Sequence, residues 1–215
     1  MRVPVAGTAC GASASAPRLA LLAVLLLGLL VGCKARVPVI GTDIGGAPAP
    51  DFSLVDQNGQ RVQLAALRGQ PVVLTFLYTD CPDVCPLTAQ KLRQTAELLG
   101  GEAERVAMLA VSVDPEHDDV AAAQAFVRVH DLEGRLHYLL GTRQELSAVW
   151  AAYYIHAAPP PPDADPATRA AYARQRGVHT DATYILDKQG QLRFLVRSDF
   201  DPAALAATLH GLLRE

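Results

Sequence analysis

Hydrophobic and polar positions divide the chain into regions of different character. Leu19 to Val31, LALLAVLLLGLLV, is uninterrupted apolar sequence. Residues 34–50 are rich in Gly, Pro and small side chains and carry no period. From Pro50 onward, short apolar runs alternate with amphipathic stretches as far as Arg214. The first region is shorter than the roughly 20 apolar residues that cross a bilayer. It follows Arg2 and Arg18, and small residues come after it, which is how a secretory signal core reads. The second region reads as a flexible tether. The third is the folded body.

Within the body, FSLVD and RVQL flank Gln57-Asn58-Gly59-Gln60. Asn-Gly between two short strands predicts a hairpin, because both residues tolerate positive φ. Leu64 to Arg68 reads as one helical turn ended by Gly69. Val72 to Tyr78, VVLTFLY, and Val106 to Val113, VAMLAVSV, are continuous apolar runs, the pattern of strands buried on both faces. Between them, Leu87, Leu92, Leu98 and Leu99 with Lys91, Arg93 and Glu97 predict an amphipathic helix from Pro86, closed by Gly100-Gly101. Further helices are predicted over Asp118–His130, Gln144–Tyr154 and Asp201–Arg214. Further strands are predicted over Arg135–Leu140, Ala182–Asp187 and Leu192–Val196. Pro159 to Pro162 exclude helix and central strand, so His156 to Asp165 is expected as an exposed loop, with a short helical piece near Ala167–Arg174. The order of hairpin, βα, βα, βα, ββα predicts an α/β sandwich with a mixed sheet.

Composition adds exclusions. Half of the 215 residues are hydrophobic, 19% are charged and the formal net charge is −3. This is a globular composition, and without a basic run it offers nucleic acid no electrostatic footprint. The four cysteines carry more information. Cys10 lies in the leader. Leu30-Val31-Gly32-Cys33 resembles the lipobox of bacterial lipoproteins, so residues 1–32 are expected as a lipoprotein-type signal peptide, Cys33 as the lipidated residue and 33–49 as the tether. The alternative is an uncleaved signal anchor. Either way the body, 50–215, is exported and retains only Cys81 and Cys85.

Those two thiols, in Cys81-Pro82-Asp83-Val84-Cys85, sit where a buried strand passes into a helix. A helix N-terminus supplies unpaired N–H groups and a positive partial charge, both of which stabilise a thiolate. Asp80 and Asp83 are expected there as helix caps, the alternative being a negative patch for cation delivery. Residues four apart on a helical turn have Cβ atoms about 5–6 Å apart, near enough to chelate one ion and long for a relaxed disulfide at about 3.5–4.5 Å. Two soft thiolates favour Cu(I) or Zn(II). Structural zinc normally takes four protein ligands, and the body has no further cysteine. A copper site completed by one imidazole fits better. Of the six histidines, His117 reads as a loop residue and His130, His137 and His210 as structural. His156, beside the prolines, and His179, just before ATYILD, remain as candidates.

FLYTDCPDVCPLT, AVSVDPEHD and HTDATYILDKQG, in this order, resemble the Sco/SenC family. The resemblance spans Pro50 to Glu215. It implies a thioredoxin-like three-layer sandwich with an added N-terminal β-hairpin. It also implies copper bound by Cys81, Cys85 and His179. The implied function is that of a metallochaperone for cytochrome c oxidase assembly: delivering copper to the binuclear copper A site of subunit II, or preparing that site's cysteines. The implied place is the bacterial cell envelope, membrane-anchored with the body on the periplasmic face of the inner membrane, among other copper or thiol-redox proteins. The alternative is a thiol–disulfide oxidoreductase in which Cys81 and Cys85 form the redox-active pair. A peroxide-reducing enzyme on the same fold is a weaker third reading. The chain departs from the family pattern in two places. Val178 stands where many members have Asp before the metal histidine, with Asp181 the nearest carboxylate in sequence. The stretch Ala157–Asp165 is unusually rich in proline.

Overall fold

A computed structural model describes residues 40–157, 165, 167 and 180–215. The signal-type segment, Cys33, the four prolines, most of the helical piece expected over 167–174, and His179 lie outside the described residues.

β1 (Thr42–Pro48) comes first. The hairpin follows as β2 (Ser53–Asp56) and β3 (Arg61–Gln63), with Ser53 opposite Gln63 and Val55 opposite Arg61. Gly59 turns it at φ +76°, and the Asp56 carboxylate accepts the N–H groups of Asn58 and Gln60, each at 2.9 Å. A 3-10 turn over Leu64–Leu67 leads into β4 (Val72–Leu77), α1 (Val84–Leu99) and β5 (Ala107–Ser112). Then come α2 (Val120–Val129), β6 (Leu136–Leu140) and α3 (Arg143–Ala152). β7 (Thr183–Leu186), β8 (Gln191–Val196) and α4 (Pro202–Arg214) complete the body.

The eight strands form one sheet in the order β1-β8-β7-β4-β5-β6-β2-β3. β4, β5 and β6 run parallel and the other neighbours are antiparallel. Every residue of β4 and β5 is buried, as their unbroken apolar sequence requires of strands covered on both faces. Thr75, Ala110, Tyr138 and Thr183 stand in one row across the sheet. On their face Phe126 of α2 meets Tyr138 edge-on, with ring centres 5.5 Å apart. Their neighbours Phe76 and Tyr184 point the other way and pack against Tyr153, at the end of α3. Helices thus cover both faces of a mixed sheet, the thioredoxin-like sandwich expected, with the β2–β3 hairpin added at the edge of β6.

α1 buries Cys85, Thr88, Ala89, Leu92, Thr95, Ala96 and Leu99, a stripe at helical spacing that begins with a site cysteine. Leu87 and Leu98, expected on that face, are 41% and 54% exposed. Threonines take their place because each hydroxyl donates to the carbonyl one turn back, Thr88 to Val84 at 2.9 Å and Thr95 to Lys91 at 2.8 Å.

β1 corrects the expected tether. The stretch 33–49 lacks strand periodicity, yet Thr42–Pro48 pairs antiparallel with β8, Thr42 opposite Leu195 and Pro48 opposite Gln191. An edge strand tolerates Gly and Pro, because only one side of its backbone needs partners. Gly41 enters it at φ +63°, where a Cβ would stand 2.3 Å from the Leu195 carbonyl oxygen and 2.6 Å from Val196 Cγ1. Only glycine fits there. With Ile40 only 5% exposed, the folded body already includes residue 40.

Candidate functional site

Parallel pairing places the C-terminal ends of β4 and β5 side by side, with Leu77 opposite Ser112. The loops leaving these strands are therefore neighbours, and the Val113 N–H donates to the Leu77 carbonyl at 2.9 Å. One loop carries Cys81 and runs into α1, whose first turn holds Cys85. The other carries Asp114 to Asp119.

Both thiols are free and buried, Cys81 to 8% exposure and Cys85 completely. The Cys85 N–H donates to Cys81 Sγ at 3.3 Å. Asp83 occupies the N-cap position but its side chain makes no capping bond. The cap expected from Asp83 is supplied by the Cys81 sulfur, which lies where a capping oxygen would accept an orphan N–H.

That geometry sets the electrostatics. A hydrogen bond from the Cys85 thiol is the largest influence on Cys81. Burial opposes it, while the N–H groups of Asp83 and Cys85 and the Tyr78 side chain add to it, and the Cys81 thiol is brought down to about 5. The same hydrogen bond, together with burial and the negative charges of Cys81 and Asp118, pushes the Cys85 thiol far up. The pair therefore holds one negative charge between two sulfurs at a helix N-terminus, a thiolate ready to attack or to bind a soft cation.

Asp118 lies behind the pair and was not singled out in the sequence. It is 6% exposed. Its Oδ1 accepts the Thr79 N–H at 2.9 Å and the Thr79 hydroxyl at 2.7 Å. Its Oδ2 accepts the Ser112 hydroxyl at 2.6 Å and the Tyr138 hydroxyl at 2.9 Å. Burial nevertheless pushes its pKa up. The signal that points to it is topological: an acidic residue a few positions beyond a strand parallel to β4 must return to the same end of the sheet as the cysteines.

The histidines resolve as follows. His117 Nδ1 meets the Asp114 carboxylate at 2.9 Å. His137 Nδ1 meets Asp56 Oδ2 at 2.8 Å, and His210 Nδ1 meets Glu102 Oε2 at 2.6 Å. The His130 ring packs on Phe126 with centres 4.5 Å apart, and burial pushes its pKa down. The His156 N–H donates to Thr180 Oγ1 at 3.0 Å, and the Thr180 N–H donates to the His156 carbonyl at 3.3 Å. The residue after His179 is thus pinned to the chain that leaves α3. Asp181 does not serve as a free carboxylate, since it accepts the Ser198 N–H at 3.0 Å and the Ser198 hydroxyl at 2.8 Å. The Ser198 carbonyl in turn accepts Lys91 Nζ of α1 at 2.8 Å. Among the described residues, no three or more His, Cys, Asp or Glu side chains gather as a metal site. Cys81 and Cys85 come together, and His179 lies outside the described residues.

Comparison with known proteins supplies the family. A model of the SCO1/SenC family matches residues 44–214. The mitochondrial SCO2 homolog of Bos taurus is 38% identical over 117 residues, which cover 54% of this chain and 43% of that protein. The mitochondrial SCO1 homolog of Homo sapiens is 33% identical over 134 residues, covering 61% and 43%. The match thus spans less than half the length of these two curated relatives. Among solved structures, Bradyrhizobium japonicum ScoI with copper bound has a TM-score of 0.64 at 29% identity, covering 78% of this chain and all of that one. Yeast Sco1 with copper bound, at 20% identity and covering 79% and 90%, shares the fold with a TM-score of 0.63. So does BsSco, in which a disulfide switch was identified, at 19% identity and 0.63, covering 81% and 98%. On the match over residues 44–214, the chain belongs to the SCO1/SenC family.

Proposed function

We propose that this chain is a copper-binding assembly factor for cytochrome c oxidase, which holds one copper ion on Cys81, Cys85 and His179. The copper is cargo for the binuclear copper A site of subunit II. The observation that carries this reading is the thiol pair: two free, buried sulfurs at a helix N-terminus, with the Cys85 N–H donating to Cys81 Sγ at 3.3 Å. Soft sulfur suits Cu(I), and the copper-bound ScoI relative at 29% identity supports the choice of metal. A three-ligand site gives up its ion more readily than a closed four-ligand cage. In transfer, each metal–sulfur bond that breaks here would be replaced by one to a partner cysteine, whose thiol gives up its proton; the released Cys85 would take up a proton while Cys81 stays a thiolate.

The low pKa of Cys81 favours a second reading at the same residues. The Cys81 thiolate attacks a partner disulfide and forms a mixed disulfide, which Cys85 resolves. The partner gains two electrons and two protons, and this chain ends with a Cys81–Cys85 disulfide. The BsSco disulfide switch supports that reading. We further propose that residues 1–32 are a lipoprotein signal, that Cys33 carries the lipid, and that a tether from Cys33 to near Ile40 holds the body at the outer face of the inner membrane. Among the described residues no helix is long and apolar enough to cross a membrane.

The experiment presents the copper-loaded chain with a copper A domain whose cysteines are already reduced. Metallation of that domain supports the donor. Failure, with rescue by metal-free reduced chain plus free copper acting on the oxidised domain, supports the reductase.

A further inference from the structure

We propose that Asp118 is a positioning residue for the thiol pair, acting through Thr79 as a latch on the turn that carries Cys81. The inference rests on the reading above only in taking Cys81 and Cys85 as the working thiols. Asp118 belongs to the loop after β5, not to the cysteine loop, and its two carboxylate oxygens face different elements. Oδ1 holds both donors of Thr79, two residues before Cys81. Oδ2 is fixed from the sheet side by Ser112, at the end of β5, and by Tyr138, in the middle of β6. Ser112 and Tyr138 are fully buried, so the anchor is rigid and the held part is the turn.

The held turn has a defined consequence. In the reduced state Cys81 Sγ accepts the Cys85 N–H, and Cys85 is fixed in the buried stripe of α1. Closing a disulfide gives up that hydrogen bond and brings the Cys81 sulfur onto the Cys85 sulfur. With Cys85 fixed, the movement falls on the Thr79–Cys81 segment, which Asp118 restrains. The latch therefore favours the open dithiol, the form that accepts a metal ion, over the disulfide.

The test uses the metal-free full chain equilibrated with reduced and oxidised glutathione. Cys81 and Cys85 give two electrons to oxidised glutathione, which becomes two reduced molecules by taking one proton from Cys85 and one from solvent. Variants are Asp118→Ala, Asp118→Asn, Thr79→Val and, as a stability control outside the latch, Asp56→Ala, each with a thermal melt. Asp118→Asn keeps an oxygen for the Thr79 donors, and its amide can donate to the Ser112 and Tyr138 hydroxyls, which also accept. The expected result is a shift of the thiol–disulfide equilibrium toward the disulfide, at least fivefold in Asp118→Ala and smaller in Thr79→Val. Asp118→Asn stays within twofold of the parent. Asp56→Ala, which removes a buried carboxylate beneath the hairpin turn, lowers the melting temperature without moving the equilibrium. An unmoved equilibrium in Asp118→Ala and Thr79→Val overturns the proposal, as does one that tracks the melting temperature across all four variants. If Asp118→Ala does not fold, Thr79→Val against Asp56→Ala decides. Because no copper is present, failure here is distinct from failure of copper binding.

Discussion

Cys81 Sγ accepts the backbone N–H of Cys85 at 3.3 Å, so one site cysteine caps the helix that carries the other. A helix N-terminus normally finds an oxygen for that purpose. Placing a sulfur there makes the thiolate part of the fold. It also means that a metal ion or a disulfide bond at Cys81 competes with a local helix contact.

The first prediction concerns the pH at which Cys81 ionises. In the reduced, metal-free chain, alkylation of Cys81 should follow a titration with a midpoint at about 5, against about 8.5 for an ordinary cysteine. Cys85, fully buried and with its thiol pushed up, should resist modification until the protein unfolds. Peptide mass mapping after brief iodoacetamide exposure across pH 4–9 reads both. A midpoint near 8.5 for Cys81 would contradict the hydrogen-bonded arrangement. In Cys85→Ala, which removes the largest lowering influence, the midpoint should rise.

The second concerns β1. Gly41→Ala places a methyl group against the Leu195 carbonyl and Val196 at a positive φ. Overpacking and left-handed strain together should cost about 2–4 kcal/mol, read as a lower urea midpoint. A free tether would accept the same change within about 0.5 kcal/mol.

Much of this architecture was legible in the sequence, for reasons that individual residues make plain. Continuous apolar runs marked β4 and β5 because both faces of those strands are covered. Asn58-Gly59 marked the hairpin because its turn needs positive φ. Cys81 and Cys85 stood out because they are the only thiols in residues 50–215. β1 was not legible: its partner β8 lies about 150 residues away, and edge pairing imposes no alternation on Gly45, Gly46 or Pro48. Asp118 was hidden at the start of a predicted helix, where an acidic residue reads as ordinary, and only the parallel register of β4 and β5 brings it to the cysteines' end of the sheet. Thr88 and Thr95 disguised the buried face of α1, which local hydroxyl-to-carbonyl bonds made possible.

The third prediction concerns Asp56, fully buried beneath the hairpin turn. Burial pushes its pKa up, but the hydrogen bond to His137 and the N–H groups of Gln60 and Asn58 outweigh burial and leave it below the ordinary value. A depressed carboxylate stabilises the fold above its unfolded pKa, about 3.9, and loses that contribution as pH falls through its folded value. Asp56→Ala should therefore cost about 1–3 kcal/mol at pH 7 and show a shallower loss of stability from pH 5 to pH 2 than the parent. Equal acid slopes in parent and variant would contradict the role given to Asp56.

The central claim is tested most directly by Cu(I) titration of the reduced full chain against a chromogenic competitor, with Cys81→Ser, Cys85→Ser and His179→Ala alongside. The account predicts one tight equivalent in the parent, at least a hundredfold weaker binding in each serine variant and a weakened site in His179→Ala, with all four proteins folded by circular dichroism. Undiminished affinity in either serine variant would contradict it.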